Sequence, residues 1–540
     1  MAFLLSISNQ LMSQPPVPPA RRPVDEAQSS VDSQLDALIN RIESLSAGGA
    51  GNRERAGRDE GRLGRDSQAI GPAGPSPTSP VALMFDDPAL NDPAGAKLAG
   101  PSDSGQVRPA AVSLGFRPHR DEPWRPVQPN SLQESRVNET LLEAIMFRFL
   151  LNAGEAEGRQ MADQVQLPFR LIEPILERFK KDHQVAYKSS TATNDYVYVL
   201  TESGRSVARS HLSDSTYYGS CPVRLPDYLE SVRKQSIEGQ FPKRTDLLSA
   251  FSDLLINPKM LERLGPAIAS GRGMFLFGFP GNGKTSIAER VTGAFGKYIW
   301  IPRSVDIDGE ILRVYDPMNH VAKMPEASTG LLDSVDFDKR WVRIERPTIV
   351  AGGELTMEML EVLNSPASNI SEAPLQMKSN CGTLVIDDFG RQKMSVDQLL
   401  NRWIIPLEKR YDFLNMASGK KIQVPFDQLV IFSTNLEPKD LVDDAFLRRI
   451  PYKIEVENPP EADFRKLFEI MCKVTKIPYN AAAIDYLIKT HYLPINRPFR
   501  NCQPRDLLLQ VRNYCLYNDF EVELKNEYFD FACDNYFSVM

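Results

Sequence analysis

The chain has 540 residues, a formal net charge of -7 and a sequence pI near 5.6. That length allows roughly three or four domains with ample core, and the acidic balance excludes a protein that coats nucleic acid through bulk charge, leaving only a local basic face for such contact. Six cysteines, at positions 221, 381, 472, 502, 515 and 533, lack C-x-x-C spacing and clustered histidines, which speaks against zinc and disulfide frameworks and for reduced thiols in a cytoplasmic protein.

The opening MAFLLSIS has no basic flank and is too short to span a bilayer. No later stretch approaches an uncharged run of about 18 residues, so no membrane span is expected. Residues 1–130 hold 17 of the 41 prolines, with Gly/Ser-rich runs such as SAGGAGN and GPAGPSPTSP. Such a segment buries too little apolar surface to offset its ordering entropy, and a disordered arm is expected. Within it VDSQLDALINRIESL (31–45) sets Leu35, Leu38, Ile39, Ile42 and Leu45 at helical spacing. That pattern reads as a partner-docking helix or as a transient one, because an isolated helix this short is marginal in water.

From 131 to 212 the pattern becomes a compact set of elements. Leu141, Leu142, Ile145, Met146, Phe149 and Leu150 make one helical face, and GRQMADQVQ suggests a second short helix. A third is expected from about Leu171, with Pro174 in its first turn and Ile172, Ile175, Leu176 and Phe179 facing inward. VAYKSS and YVYVL, joined by TATND, read as a hairpin. Three helices and a hairpin resemble a winged helix-turn-helix domain. Its third helix would present Arg170, Arg178, Lys180 and Lys181 to DNA, but Glu173, Glu177 and Asp182 interleave with them and would repel phosphates. Winged helices also dock proteins, so both partners stay open.

Residues 213–250 read as a linker ending in a helical lead-in. Leu264, Gly265 and Pro266 stand where a wall beside a nucleotide base could form, though LLINPKMLERL also reads as a plain packing helix. Next comes GFPGNGKT (278–285), between an apolar run and a helix-like stretch. Its G-x-x-x-x-G-K-[ST] spacing lets backbone N–H groups curl around phosphate oxygens at a helix start. The cradle is Gly278, Gly281, Asn282, Gly283, Lys284, Thr285 and Ser286, with Lys284 directed to the β- and γ-phosphates and the Thr285 hydroxyl to Mg²⁺.

A second station is TLVIDDFGR (383–391), an apolar strand ending in acids. Asp387 would hold the Mg²⁺ shell and Asp388 would polarise the attacking water. QLVIFSTNLEP (428–438) ends a further apolar strand at Asn435, which could orient that water or simply cap a turn. DDAFLRRIPYKIEV (443–456) offers Arg448 and Arg449, suited to charge developing on a transferring phosphoryl group. PRDLLLQVRNY (504–514) sets Arg505 at a helix start.

Taken in this order, over roughly residues 240–540, the motifs resemble the AAA+ ATPase family, and LLNRWIIPLEKR, FSTNLEP and AFLRRI look like a bacterial AAA-family ATPase type. The resemblance implies an α/β fold: a P-loop AAA+ core with a parallel sheet at 251–456 and a helical C-terminal lid at 457–540, behind the small winged-helix-like domain and the arm. It implies ATP and Mg²⁺ as ligands and a homo-oligomeric ring, often a hexamer, in which Arg449 or Arg448 reaches a neighbour's γ-phosphate and Arg505 touches the nucleotide from the lid. The function it implies is ATP hydrolysis driving the remodelling of a protein substrate or adaptor. A DNA-binding ATPase or transcription regulator using the winged helix, and a nucleotide-bound scaffold with negligible turnover, are the alternatives.

Two departures from the family pattern stand out. Asp388 occupies a position usually held by Glu, which sets the carboxylate one methylene back and implies slow hydrolysis. The stretch of about 100 residues before Asp387 is also longer than a minimal core needs. KRWVRIERPTIVAGGELT (339–356) suggests an inserted hairpin there, without the aromatic-hydrophobic-Gly pattern of a substrate-gripping loop.

Overall fold

Short apolar runs without alternation build the centre of the molecule. In the computed structural model, which describes residues 121–192, 195–325 and 337–538, five such runs pair in parallel. Thr348–Ala351 lies at one edge, followed by Thr383–Ile386, Leu429–Thr434 and Met274–Phe277, with Tyr452–Glu455 at the other edge. The second and third are buried at every residue, as strands covered on both faces must be. On one face Met274, Leu276, Val385 and Ile431 pack with Leu264 and Ile287, from helices Pro258–Ala269 and Lys284–Val291. On the other, Phe275, Leu384, Val430 and Phe432 pack with Trp403 of helix Val396–Lys409. The fold class is therefore α/β, a parallel sheet between helical layers.

Register decides where the chemistry can sit. Phe277 pairs with Thr434, and Ile386 with Phe432, so these strands end together at one edge of the sheet. Open α/β sheets bind ligands at that carboxyl edge, where neighbouring connections diverge.

Ahead of the sheet, helices Glu139–Ala153, Gly158–Val165 and Phe169–Lys181 precede a hairpin of Val185–Ser190 and Tyr196–Leu200. Glu155–Glu157 adds a third antiparallel strand beside Tyr196–Leu200. The third helix starts two residues before the expected Leu171, so Pro174 falls in its second turn, where its ring forfeits the bond to the Arg170 carbonyl. Phe147 is buried against Phe179 with ring centroids 4.4 Å apart, while Phe149 is only partly covered.

Three further placements differ from the sequence reading. The stretch 213–250, expected as a linker ending in a helical lead-in, has helix Arg244–Ala250 at its end but also carries helix Leu225–Gln235 within the expected linker. Tyr228 and Val232 of Leu225–Gln235 are core residues, and the Gln235 amide donates to the Trp300 carbonyl while its oxygen accepts from the Trp300 N–H. Residues 121–130, at the end of the segment expected as an arm, also pack: the Trp300 indole donates to a buried Glu122, and Trp124 meets Trp341 edge-on.

The expected hairpin at 339–356 is absent. Trp341–Glu345 pairs antiparallel with Tyr298–Pro302, whereas Thr348–Ala351 joins the parallel sheet. Between them Pro347 carries no amide donor. The fully buried Arg346 guanidinium donates to the carbonyls of Gly296, Gln235 and Cys381, fixing the crossover. The 31–45 segment lies outside the described residues.

The C-terminal segment is helical, as expected: Glu461–Thr475, Ala481–Leu487, Gln503–Tyr517 and Asn526–Phe537 share a core around Phe464, Phe468, Tyr492 and Phe529. Among the described residues no helix is long and apolar enough to cross a membrane.

One buried ion pair ties the amino-terminal elements to the middle of the chain. Arg340 donates twice to Asp338, through Nε at 3.0 Å and Nη2 at 2.6 Å, and Nη2 also reaches the Ser135 carbonyl. Arg340→Met would leave the Asp338 carboxylate buried without its cation, which costs about 3–5 kcal/mol. The expected outcome is a clear fall in the urea unfolding midpoint; a midpoint equal to wild type would show that solvent reaches Asp338.

Candidate functional site

The loop after Met274–Phe277 turns only because glycines permit it. Gly278 has φ 138°, and a Cβ there would lie 2.5 Å from the Val456 carbonyl; at Gly281, with φ 84°, it would lie 2.4 Å from Cys502 Sγ. Any side chain would therefore push the loop off the end strand or off the C-terminal helices. Helix Lys284–Val291 then starts with its free N–H groups facing the loop.

Lys284 is buried, and its ammonium donates to three oxygens: Gly278 O at 2.9 Å, Phe279 O at 3.1 Å and Asn435 Oδ1 at 2.7 Å. Burial pulls its pKa below the ordinary lysine value, and Asp387 and Asp388 act against that shift. The Thr285 hydroxyl donates to Asp387 Oδ2 at 2.8 Å. Asn435 Nδ2 donates to Asp388 Oδ1 at 3.3 Å. One chain of contacts thus runs Lys284–Asn435–Asp388, beside a second, Thr285–Asp387.

The acidic turn is held from two sides. Asp388 adopts a left-handed backbone, φ 47°, which Asp tolerates better than most residues. Its own N–H donates to Asp387 Oδ1, and the Gln392 amide donates to both Asp387 O and Asp388 O. Phe389 N–H donates to Ser433 O, and the Thr434 hydroxyl to Phe389 O. Ser433 and Thr434 therefore fasten the acids to the neighbouring strand.

These groups line a cavity of about 1070 Å³. Lys284, Thr285, Asp387, Asp388, Asn435 and Arg391 line its polar part; Leu254, Ile256 and Met260 bring apolar surface, with Leu467 and Met471 from the C-terminal helices. Gly281, Asn282, Gly283, Ser286 and Arg505 also line it. Leu264, Gly265 and Pro266 do not: Leu264 faces the sheet core, and the apolar wall forms earlier along the same segment, at 254–260.

The C-terminal helices close on the loop through its carbonyls. Cys502 N–H donates to Gly281 O at 2.9 Å, and Asn501 Nδ2 to Asn282 O at 3.0 Å. Asn282 Nδ2 in turn donates to Asn458 Oδ1 at 2.8 Å. Isolated Asn and Cys residues carry no motif, so nothing in the sequence announces these contacts. Arg391, at the end of TLVIDDFGR, likewise has no signal of its own beyond following the two acids.

Besides Lys284, the basic residues lining the cavity are Lys259, Arg263, Arg391 and Arg505. Arg505 turns its guanidinium to Asp506. Arg448 is exposed and Arg449 pairs with Glu408 at 3.4 Å and donates to Ala445 O; neither lines the cavity. On the helix expected to face DNA, Arg170 donates to Asn130 Oδ1, Arg178 bridges Glu143 and Glu139, and Lys180 sits over the Tyr187 ring.

No curated protein matches the chain by sequence. A family model described as a domain of unknown function (DUF8689) matches residues 460–535, the helical C-terminal segment. Similar solved structures include NtrX from Brucella abortus, at 13% identity and a TM-score of 0.34, over 53% of this chain and 56% of that one. They include the Thermotoga maritima RuvB Holliday junction branch migration motor, at 13% identity and 0.29, over 51% and 67%. A model of the complex between subunits BchI and BchD of magnesium chelatase gives 14% identity and 0.27, over 52% and 90%. The chain thus spans little more than half the length of NtrX.

Proposed function

We propose that the chain is an ATPase of the AAA+ type, hydrolysing ATP with Mg²⁺ as an oligomer and using that energy to remodel a protein partner. The observation that carries this reading is the contact chain Lys284–Asn435–Asp388 beside Thr285–Asp387, on a cavity with an apolar wall and a glycine-rich loop at a helix start.

The residues fit each requirement of the reaction. The Lys284 ammonium donates to loop carbonyls; phosphate oxygens of a bound nucleotide would replace them and leave the Asn435 bond in place. A small hard cation takes few protein ligands and keeps several waters, which suits the Thr285 hydroxyl and one Asp387 oxygen. Bound there, Mg²⁺ would neutralise charge on the phosphate oxygens. Asp388 accepts a proton from water as the water's oxygen bonds to the γ-phosphorus, and the bond from that phosphorus to the β,γ-bridging oxygen breaks, releasing ADP and phosphate. Asn435, bonded to Asp388, holds the carboxylate's direction despite its short side chain.

Two features favour a protein partner over duplex DNA for the segment read as a winged helix. Three of its four outward basic side chains already have partners in the chain, and Tyr187 and Tyr196 stack on the exposed hairpin. A salt titration of duplex binding should accordingly give a shallow slope; a steep fall of log K with log salt would favour the DNA reading.

Lys284→Ala should abolish ATP binding or turnover without unfolding the chain, as checked by calorimetry and phosphate release. Asp388→Asn should keep ATP bound and slow its cleavage by at least about a hundredfold, whereas Asp387→Asn should also weaken the Mg²⁺ dependence of binding. Wild-type turnover in Asp388→Asn would move the proton acceptor elsewhere.

Arg448 and Arg449 stand off their own cavity, which supports a role at a neighbour's nucleotide. Arg449→Ala should then bind ATP normally and hydrolyse poorly, with Arg448 the second choice. Mixing Arg449→Ala with Lys284→Ala chains should restore part of the activity, once fluorescence transfer between labelled chains has shown subunit exchange. Full activity in a strictly monomeric protein would contradict the oligomeric reading.

A further inference from the structure

Arg391 follows the two acids on a turn whose backbone is held at several points, and its side chain is exposed on the cavity rim. The Arg391 N–H closes the turn on Asp388 O at 3.0 Å. Gly390, with φ 99°, sends its N–H to Gln392 Oε1 at 2.8 Å, and the Gln392 amide holds the carbonyls of both acids. Phe389 is buried beneath, bonded to the adjacent strand. A turn locked above and below returns Arg391 to the cavity wall, with Lys284, Thr285, Asp387, Asp388 and Asn435 on the same cavity.

Charge makes that placement consequential. A terminal phosphate brings up to about two negative charges to a wall that already carries the Asp387 and Asp388 carboxylates. Lys259 and Arg263 line the cavity from helix Pro258–Ala269, beside the apolar wall; Lys284 is bonded to Asn435, Arg505 is turned to Asp506, and Arg448 and Arg449 do not line the cavity. Arg391 is a cation of the chain itself next to the acids, and its planar guanidinium can meet two phosphate oxygens at once.

We propose that Arg391 is a ligand of the terminal phosphate supplied from within the same chain, and that it makes the site prefer a nucleoside triphosphate over a diphosphate. This inference rests on the reading of the cavity as a nucleotide site. It assigns to the acidic turn a second task beyond metal and water: the segment that holds Asp388 also registers whether the γ-phosphate is present. Binding and cleavage are thereby linked through one rigid turn, 387–392.

The test is calorimetric titration of the full chain with Mg²⁺ and either AMP-PNP or ADP. Wild type should bind AMP-PNP more tightly than ADP. Arg391→Ala should lose about tenfold or more in AMP-PNP affinity, the scale of a charged hydrogen bond, with ADP affinity changed by less than about twofold. Arg391→Lys should recover part of the preference, since it keeps charge without the bidentate geometry. Lys393→Ala, two residues on and off the cavity, should behave as wild type. Equal weakening of both nucleotides, or an unchanged AMP-PNP to ADP ratio in Arg391→Ala, would overturn the assignment to the γ-phosphate. Failure of the wild-type chain to bind either nucleotide would instead overturn the nucleotide reading itself, and this inference with it.

Discussion

A buried ammonium needs partners, and the site is arranged around the ones that Lys284 finds. Removing a lysine from water without compensation would neutralise it or unfold its surroundings. Here two loop carbonyls and the Asn435 side-chain oxygen accept hydrogen bonds from its N–H groups, with two carboxylates close enough to oppose the loss of its charge. That arrangement requires three strands to end at one edge in fixed register. Met274–Phe277 delivers the loop, Leu429–Thr434 delivers Asn435, and Thr383–Ile386 delivers the acids. The parallel sheet, buried on both sides, is what fixes that register.

The C-terminal helices complete the same construction from outside. They have their own core and reach the 278–285 loop through backbone oxygens at residues 281 and 282. Bonds that hold those carbonyls outward leave the following N–H groups facing inward, where an anion would sit. A ligand filling the cavity would also touch Leu467 and Met471, so its presence would be felt in both parts. Gly281, which admits no side chain against Cys502, is the pivot of that contact.

Much of the site was legible because its chemistry is local. GFPGNGKT, the acids after TLVI and the Asn after FST are each a strand end plus a few polar residues, and a strand end is what an apolar run followed by polar residues announces. What the sequence hid was set by tertiary pairing. The runs WVRIE and TIVA look like a hairpin, since strand propensity is indifferent to partners, yet the buried Arg346 sends them to different sheets. The sequence suggests an apolar wall at Leu264, Gly265 and Pro266, but helical phase turns Leu264 to the sheet and leaves Met260 on the cavity. Leu225–Gln235 was hidden in a polar stretch because its burial depends on distant strands such as Tyr298–Pro302. Pro174 is tolerated one turn later than expected, as packing of Ile172, Leu176 and Phe179 outweighs one lost bond.

The central claim is that Lys284 exchanges its loop carbonyls for the phosphates of ATP. The most direct measurement is a high-resolution structure of the full chain with Mg²⁺ and AMP-PNP. The phosphates are expected inside the 278–285 loop, with Lys284 Nζ about 3 Å from β- and γ-phosphate oxygens and its bonds to Gly278 O and Phe279 O broken. A nucleotide bound outside that loop, or one bound while Lys284 keeps both carbonyls, would contradict it.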